Sequence, residues 1–305
     1  MRQKFIFFVL LLAISLTVSG QNKSQAKLLK DAYKSQSTEL LYKFFDNWSE
    51  EVKSNENKAQ NPYVAEAHKV FAAFYQPLQI FARSGKRYTM YDDKPYFIVQ
   101  STLWRVRKAD FILYKQAEID SFMIARVLET LADDTAHQKE WLKNHDPEDS
   151  WTNVRMNYQG ENYASMFNIT VPVTTVDSAI TFRPPLHFEG KKVVYLTKKY
   201  EKMLNSFLGD KHVDLGEENI MQPAYSKGES RSKHSFINRA AHIYYGHWGG
   251  YWQYETYPQA NQIIFNPEMN RAVVMFRFVY EGGEVVLEKQ DGEWVVVDSR
   301  FTWIE

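Results

Sequence analysis

Two turn signals near the C-terminus constrain this chain most. Glu281-Gly282-Gly283-Glu284 and Gln290-Asp291-Gly292-Glu293 punctuate apolar, β-branched runs between Arg271 and Trp303. Asp-Gly and Gly-Gly are favoured in two-residue hairpin loops because the central positions need positive φ. Read that way, the loops are tight, and counting outward sets Phe278, Leu287 and Val296 abreast and Arg277 opposite Glu288. Side chains alternate along a strand. One face then carries Ala272, Val274, Phe276, Phe278, Val285, Leu287, Trp294 and Val296. The other carries Val273, Met275, Val286, Val295, Val297, Phe301 and Trp303 around the Arg277 and Glu288 pair. An antiparallel sheet with one wet side shows polar residues there, so this pattern predicts a sheet covered on both faces.

The N-terminus has a different character. Met1–Lys4 is basic, Phe5–Leu16 is apolar, and Val18-Ser19-Gly20 supplies the small residues a signal peptidase reads. The apolar run is shorter than the roughly 20 residues of a spanning helix. Residues 1–20 are therefore read as a signal peptide cleaved near Gly20, and the mature chain as periplasmic or secreted with no transmembrane segment. The chain has no cysteine, hence neither disulfides nor a lipid-modified N-terminal cysteine. Basic and acidic side chains number 37 each, which leaves no broad basic field to gather phosphates and argues against nucleic acid as a partner.

Helical periodicity runs from Ser24 to Val52 with a break at Ser35-Gln36-Ser37, giving two helices or one bent helix. Pro62 opens another through Tyr75, with His68 beside its apolar stripe. Tyr88–Met90 and Pro95–Arg105 read as strands, Ile119–Leu142 as a helix broken at Asp133-Asp134, and Asn144–Ala164 as loop. Lys192–Thr197 is a strand leading into a helix capped by Thr197 and ended by Gly209. A short helix over Ser232–Ile243 precedes Gly246–Gly250. The fold class is α+β: N-terminal helices and a mixed α/β region over residues 21–190, then a domain over residues 191–305 with a curved C-terminal antiparallel sheet packed on helices.

Tyr244, Tyr245, Trp248, Tyr251, Trp252 and Tyr254 crowd around His247. Such a group stacks on sugar rings or flat ligands, and equally fills a core or an interface. The glycines beside His247 admit a ligand near a titrating imidazole, or else serve a strand bend. Arg277 either anchors an anionic ligand or closes a structural ion pair with Glu288. The ligand-binding candidates are thus His247, Trp248, Tyr251, Trp252 and Arg277. The catalytic candidates are His247, Asp298 and Glu288, where an acid needs desolvation to act as a base. His242 and His247, five apart, have poor metal-ligand spacing, and His234 and Glu255 become further ligands only if the fold gathers them. No nucleotide or metal motif occurs, so neither a metal nor a cofactor is expected.

The order YLTKKYEKMLNSFLG, GHWGGYW, TYP, NPEMNRAVVMFRFVYEGGE and DGEWVVVDSRFTWIE resembles an uncharacterised family of exported proteins of Gram-negative anaerobes, most specifically from Val193 to Glu305. More loosely, helices followed by a curved sheet ending in a G-x-W strand are similar to the nuclear-transport-factor-2-like (cystatin-like) cone fold. That resemblance implies a ligand-binding or subunit-associating cone, or a small hydrolase, isomerase or dehydratase, although the Asp/His or Tyr/Asp set of such enzymes does not map onto this chain. Three readings stand. The first is an exported noncatalytic module that binds a small molecule, glycan or protein partner through an aromatic mouth near His247–Tyr254. The second is a small-molecule hydrolase or isomerase using His247 with Asp298 or Glu288. The third is an envelope structural subunit whose sheet is covered by homodimerisation.

Overall fold

A computed structural model describes residues 24–54, 62–80, 87–113, 132–144, 167–169, 174–209, 229–245 and 252–304, with isolated positions between 121 and 129. Residues 1–20, most of the Asn144–Ala164 stretch read as loop, and Gly246–Gly250 fall outside the described residues. Among those residues no helix is long and apolar enough to cross a membrane.

The break at Ser35-Gln36-Ser37 separates two helices, α1 (residues 24–34) and α2 (Thr38–Glu51). Gln36 takes a positive φ, and the Ser37 hydroxyl accepts the Leu40 amide at 3.2 Å, capping α2. α3 (Pro62–Phe74) starts on its proline, where the missing N–H costs nothing.

β1 (Tyr96–Gln100) is joined to β6 (Lys192–Leu196) in a two-stranded parallel sheet. A sheet this small leaves backbone groups open along both edges, and side chains fill them. On the β6 edge, the Trp48 indole donates to the Tyr195 carbonyl and the Ser49 hydroxyl to that of Val193, both at 3.0 Å, tying down α2. On the β1 edge, the Thr256 amide donates to the Ile98 carbonyl at 2.6 Å, and its hydroxyl accepts the Ile98 amide at 3.0 Å. From β1 itself, the Gln100 carboxamide reaches across to Ala260, donating to its carbonyl and accepting its amide. The loop around Thr256 is thus part of the rigid frame.

The main sheet has six strands in the order β12-β11-β10-β9-β2-β5. These are β2 (Thr102–Lys108), β5 (Thr174–Thr181), β9 (Gln259–Phe265), β10 (Arg271–Phe278), β11 (Glu281–Gln290) and β12 (Glu293–Ile304). Only the β2–β9 pairing is parallel. The run Pro95–Arg105 is two strands rather than one, because Ser101 ends β1 and the chain passes into the other sheet. The six strands come from both sides of residue 190, and a continuous core joins them to the helices. β3 (Phe111–Leu113) pairs with β4 (Phe167–Ile169). α4 (Thr135–Asn144), α5 (Lys198–Leu208) and α6 (Glu229–Ile237) complete the helices considered below, and Thr197 precedes α5 without a side-chain capping bond.

α3 lies across β2, β10, β11 and β12. Glu66 pins it there, accepting from Lys69 and Lys289 at 2.9 Å and from the Trp294 indole at 2.8 Å. Burial pushes this carboxyl up, but the three hydrogen bonds outweigh it and hold the group at about 2.

The Asp291-Gly292 turn forms as its residues dictate, both with positive φ and with Gln290 paired to Glu293. Gly282-Gly283 does not turn. The chain reverses at Val279-Tyr280, so Phe278 meets Glu281, and Ala272 rather than Phe278 lies opposite Leu287. Val279 holds φ at 54°, a strained region for a β-branched residue. The register differs from the expected one by six residues. Six is even, so every side chain of β10 and β11 keeps its face. Gly283 is needed for close approach: a Cβ there would overlap the Arg300 carbonyl oxygen and lie 2.9 Å from Phe276 Cε1.

β12 breaks register twice against β11, between Leu287 and Val286 and between Gly283 and Gly282. The first break moves Phe301 onto the face of Phe276, not that of Val273 as alternation implied. Cover on both faces is incomplete. Val274 and Leu287 are buried on the α3 side, as are Ile264, Val273 and Val286 on the other. On the edge strand, however, Val295, Val296 and Val297 are 40%, 41% and 43% exposed.

Candidate functional site

His247, Trp248 and Tyr251 lie outside the described residues. What flanks them is a short hairpin, β7 (Tyr244–Tyr245) against β8 (Trp252–Gln253). The Trp252 ring stacks on His234 at 5.1 Å, and its indole donates to the Gly209 carbonyl at 3.3 Å. Tyr244 packs edge-on to His242 at 4.5 Å and Tyr257 at 5.5 Å, while buried Tyr254 bonds Asn205. These rings are engaged in packing.

The Arg277 and Glu288 pair does not form. With the turn at Val279-Tyr280, Arg277 stands opposite Gly282, and its Nε donates to the Val279 carbonyl at 3.0 Å. Glu288 instead faces Arg271 and binds its Nε at 2.9 Å, partly in solvent. Asp298 is exposed on β12 and accepts the Ser299 amide at 2.8 Å. Neither acid has the enclosed setting that a general base requires.

Other titratable groups are more enclosed. His242 is pushed down to about 4, mainly by burial and then by Lys94, and burial also lowers His234, whose Nε2 is 2.7 Å from the Ile243 carbonyl. His68 is only 3% exposed, edge-on to Phe182 at 4.7 Å, with neither ring nitrogen hydrogen-bonded, and burial takes it to about 4. Glu255 moves the other way, raised to about 6 by burial, with Glu201 adding to the rise. The Gln259 carboxamide donates to it at 3.1 Å, and neighbouring Thr256 and Tyr257 are fixed to Ile98 and to the Tyr91 hydroxyl. Among the described residues no cluster of histidines and acids is arranged to hold a metal.

One open feature is a cleft of about 450 Å³ between the end of α3 with the segment after it and one face of β10, β11 and β12. Phe74, Phe276, Phe278 and Phe301 wall it, with Val285 and Val296 between them. Phe276 stands 5.9 Å from Phe74 and 5.6 Å from Phe301. Gln76, Gln79 and Ser299 supply neutral polar groups. Arg300 also borders the cleft, but it pairs with Glu284 between Ser299 and Phe301, so alternation turns its side chain to the opposite face. Phe276, Phe278, Val285 and Val296 were legible as one face from alternation, and Phe74 from its helical stripe. Gln76, Gln79 and Ile80 carried no signal.

The candidate residues named from sequence and the cleft that the fold builds are therefore largely different sets. Compared with protein-family models, curated proteins and solved structures, the chain matches none.

Proposed function

We propose that this chain is a noncatalytic exported binding protein that holds a small, uncharged and largely apolar molecule in the phenylalanine-walled cleft. The cleft carries the reading. Its volume of about 450 Å³ lies in the range of small-molecule pockets, which are mostly apolar with a few polar groups that fix orientation. An ionised ligand would lose its water there, and among the described residues no charged side chain is turned inward to compensate. The hydrolase or isomerase reading draws less support, since Asp298 and Glu288 stand in or near solvent and Glu255 does not line the cleft.

The test uses N-phenyl-1-naphthylamine, a neutral apolar dye whose emission rises on leaving water. Val296 is 41% exposed at the rim, so Val296→Trp should close the mouth with little burden on folding. Dye enhancement is expected with the native chain and should be largely lost in the variant at an unchanged urea midpoint. An equal response from both proteins, or none from the native chain, would refute the proposal.

A further inference from the structure

We infer that a second site, for an amphiphilic anion, lies in the groove between α1 and α5. A cavity of about 350 Å³ opens there, floored by Leu29, Met203 and Phe207, all buried, and rimmed by Lys30, Lys199 and Lys202. Among the described residues no carboxylate lines it. Lys199 is paired with Glu51, whose other oxygen accepts the Tyr200 hydroxyl at 2.9 Å, so that pair is closed. Lys30 and Lys202 are exposed and take part in no ion pair among the described residues.

The placement of the lysines runs against local helix chemistry. α5 begins Lys198-Lys199-Tyr200-Glu201-Lys202, which gathers cations at the end where the helix dipole is itself positive. Thr197 does not relieve that end with a side-chain cap. Like charges collected beside an apolar floor make sense when a ligand brings the counter-charge, and departures from local rules concentrate at functional sites. The chemistry selects a molecule with one anionic head, a carboxylate or sulfonate held by ammonium groups, and a hydrocarbon body laid on Leu29, Met203 and Phe207. This site is independent of the phenylalanine cleft.

The experiment is calorimetric titration of the full chain with decanoate, decanol and decyltrimethylammonium, each below its micellar concentration. It is run on the native protein, on Lys30→Gln/Lys202→Gln, and on Val296→Trp. Decanoate should bind the native chain and Val296→Trp alike; in Val296→Trp, where the phenylalanine cleft is closed to decanol, it should bind about tenfold or more tighter than decanol, and the cationic amphiphile should not bind. The double lysine variant should lose about tenfold in decanoate affinity, and salt at about 0.5 M should weaken native binding severalfold through screening. Both lysines are exposed, so the variant should keep its native circular dichroism. Absent decanoate binding, equal affinity for decanol in Val296→Trp, an unchanged double variant, or loss of decanoate in Val296→Trp each overturns the inference. Only the last of these would move the anion into the other cleft.

Discussion

His68 should make the fold acid-sensitive by an amount that can be worked out. Its imidazole sits in the core of α3 against Phe182 at 3% exposure, with both nitrogens unbonded. The folded state holds it at about 4 against an ordinary histidine value of 6.5. Above pH 6.5 the group is neutral in both states and costs nothing by titration. As pH falls below 6.5 the unfolded chain takes up the proton and the folded chain does not, so stability drops by roughly 1.4 kcal/mol per pH unit until both are protonated near pH 4. The whole loss is about 3 kcal/mol. The assay is urea unfolding followed by tryptophan fluorescence at pH 7.5, 6.5, 5.5 and 4.5 for the native chain and His68→Leu, a range that stays above the titration of Glu66 on the same helix. Groups common to both proteins cancel in the difference. The advantage of the variant should widen by about 2 to 3 kcal/mol from pH 7.5 to 4.5. A difference that stays flat would show that water reaches the ring or that a partner stabilises the cation, and the argument would fail.

Glu66 behaves in the opposite sense and in a lower window. Its depressed carboxyl contributes stability that is present above pH 4.5 and lost as pH falls toward 2, so Glu66→Gln should cost up to about 3 kcal/mol at pH 7 and flatten the acid limb of the unfolding curve. The two turn-like glycines should separate by mechanism. Gly292→Ala meets nothing within 4 Å but must adopt positive φ, for about 1 to 2 kcal/mol, whereas Gly283→Ala collides with main chain and should cost about 3 kcal/mol or prevent folding. Thermal unfolding of the pair in the reverse order would refute that assignment.

The contrast between those glycines shows how far the sequence could be read. Glycine permits positive φ, and it also permits another backbone to come close. Asp291-Gly292 does the first, and its aspartate signals as much. Gly283 does the second, while the reversal falls at Val279-Tyr280, where residue types give no warning. Faces survived this error because alternation has a period of two and the register moved by an even number. The helix break at Ser35-Gln36-Ser37 and the start at Pro62 were legible because capping and proline chemistry are local. The side-chain ties of β1 to Thr256 and Ala260 were not, since they join residues about 160 positions apart. The cleft was half legible for the same reason: its strand and helix stripes are local patterns, but the entry of Phe301 into the same cleft as Phe74 depends on irregular pairing in β12.

That irregularity decides what the cleft can bind. Had β12 continued in the register set by Gln290 and Glu293, Asp298 would stand opposite Val285 and Arg300 opposite Gly283, placing two charges among the phenylalanines. The extra residue at Val297 advances the strand by one, so Ser299 meets Val285 and Phe301 meets Gly283. It follows that deleting one valine from the Val295–Val297 run should be tolerated. Such a deletion within a long strand ordinarily throws every later side chain to the wrong face. Here it removes only the residue without a partner and leaves Ser299 and Phe301 turned inward. The deletion protein should unfold cooperatively, within about 1 kcal/mol of the native chain, and should still enhance N-phenyl-1-naphthylamine emission. If it unfolds at much lower urea, or folds yet leaves the dye dark, the bulge is not what turns uncharged groups into the cleft.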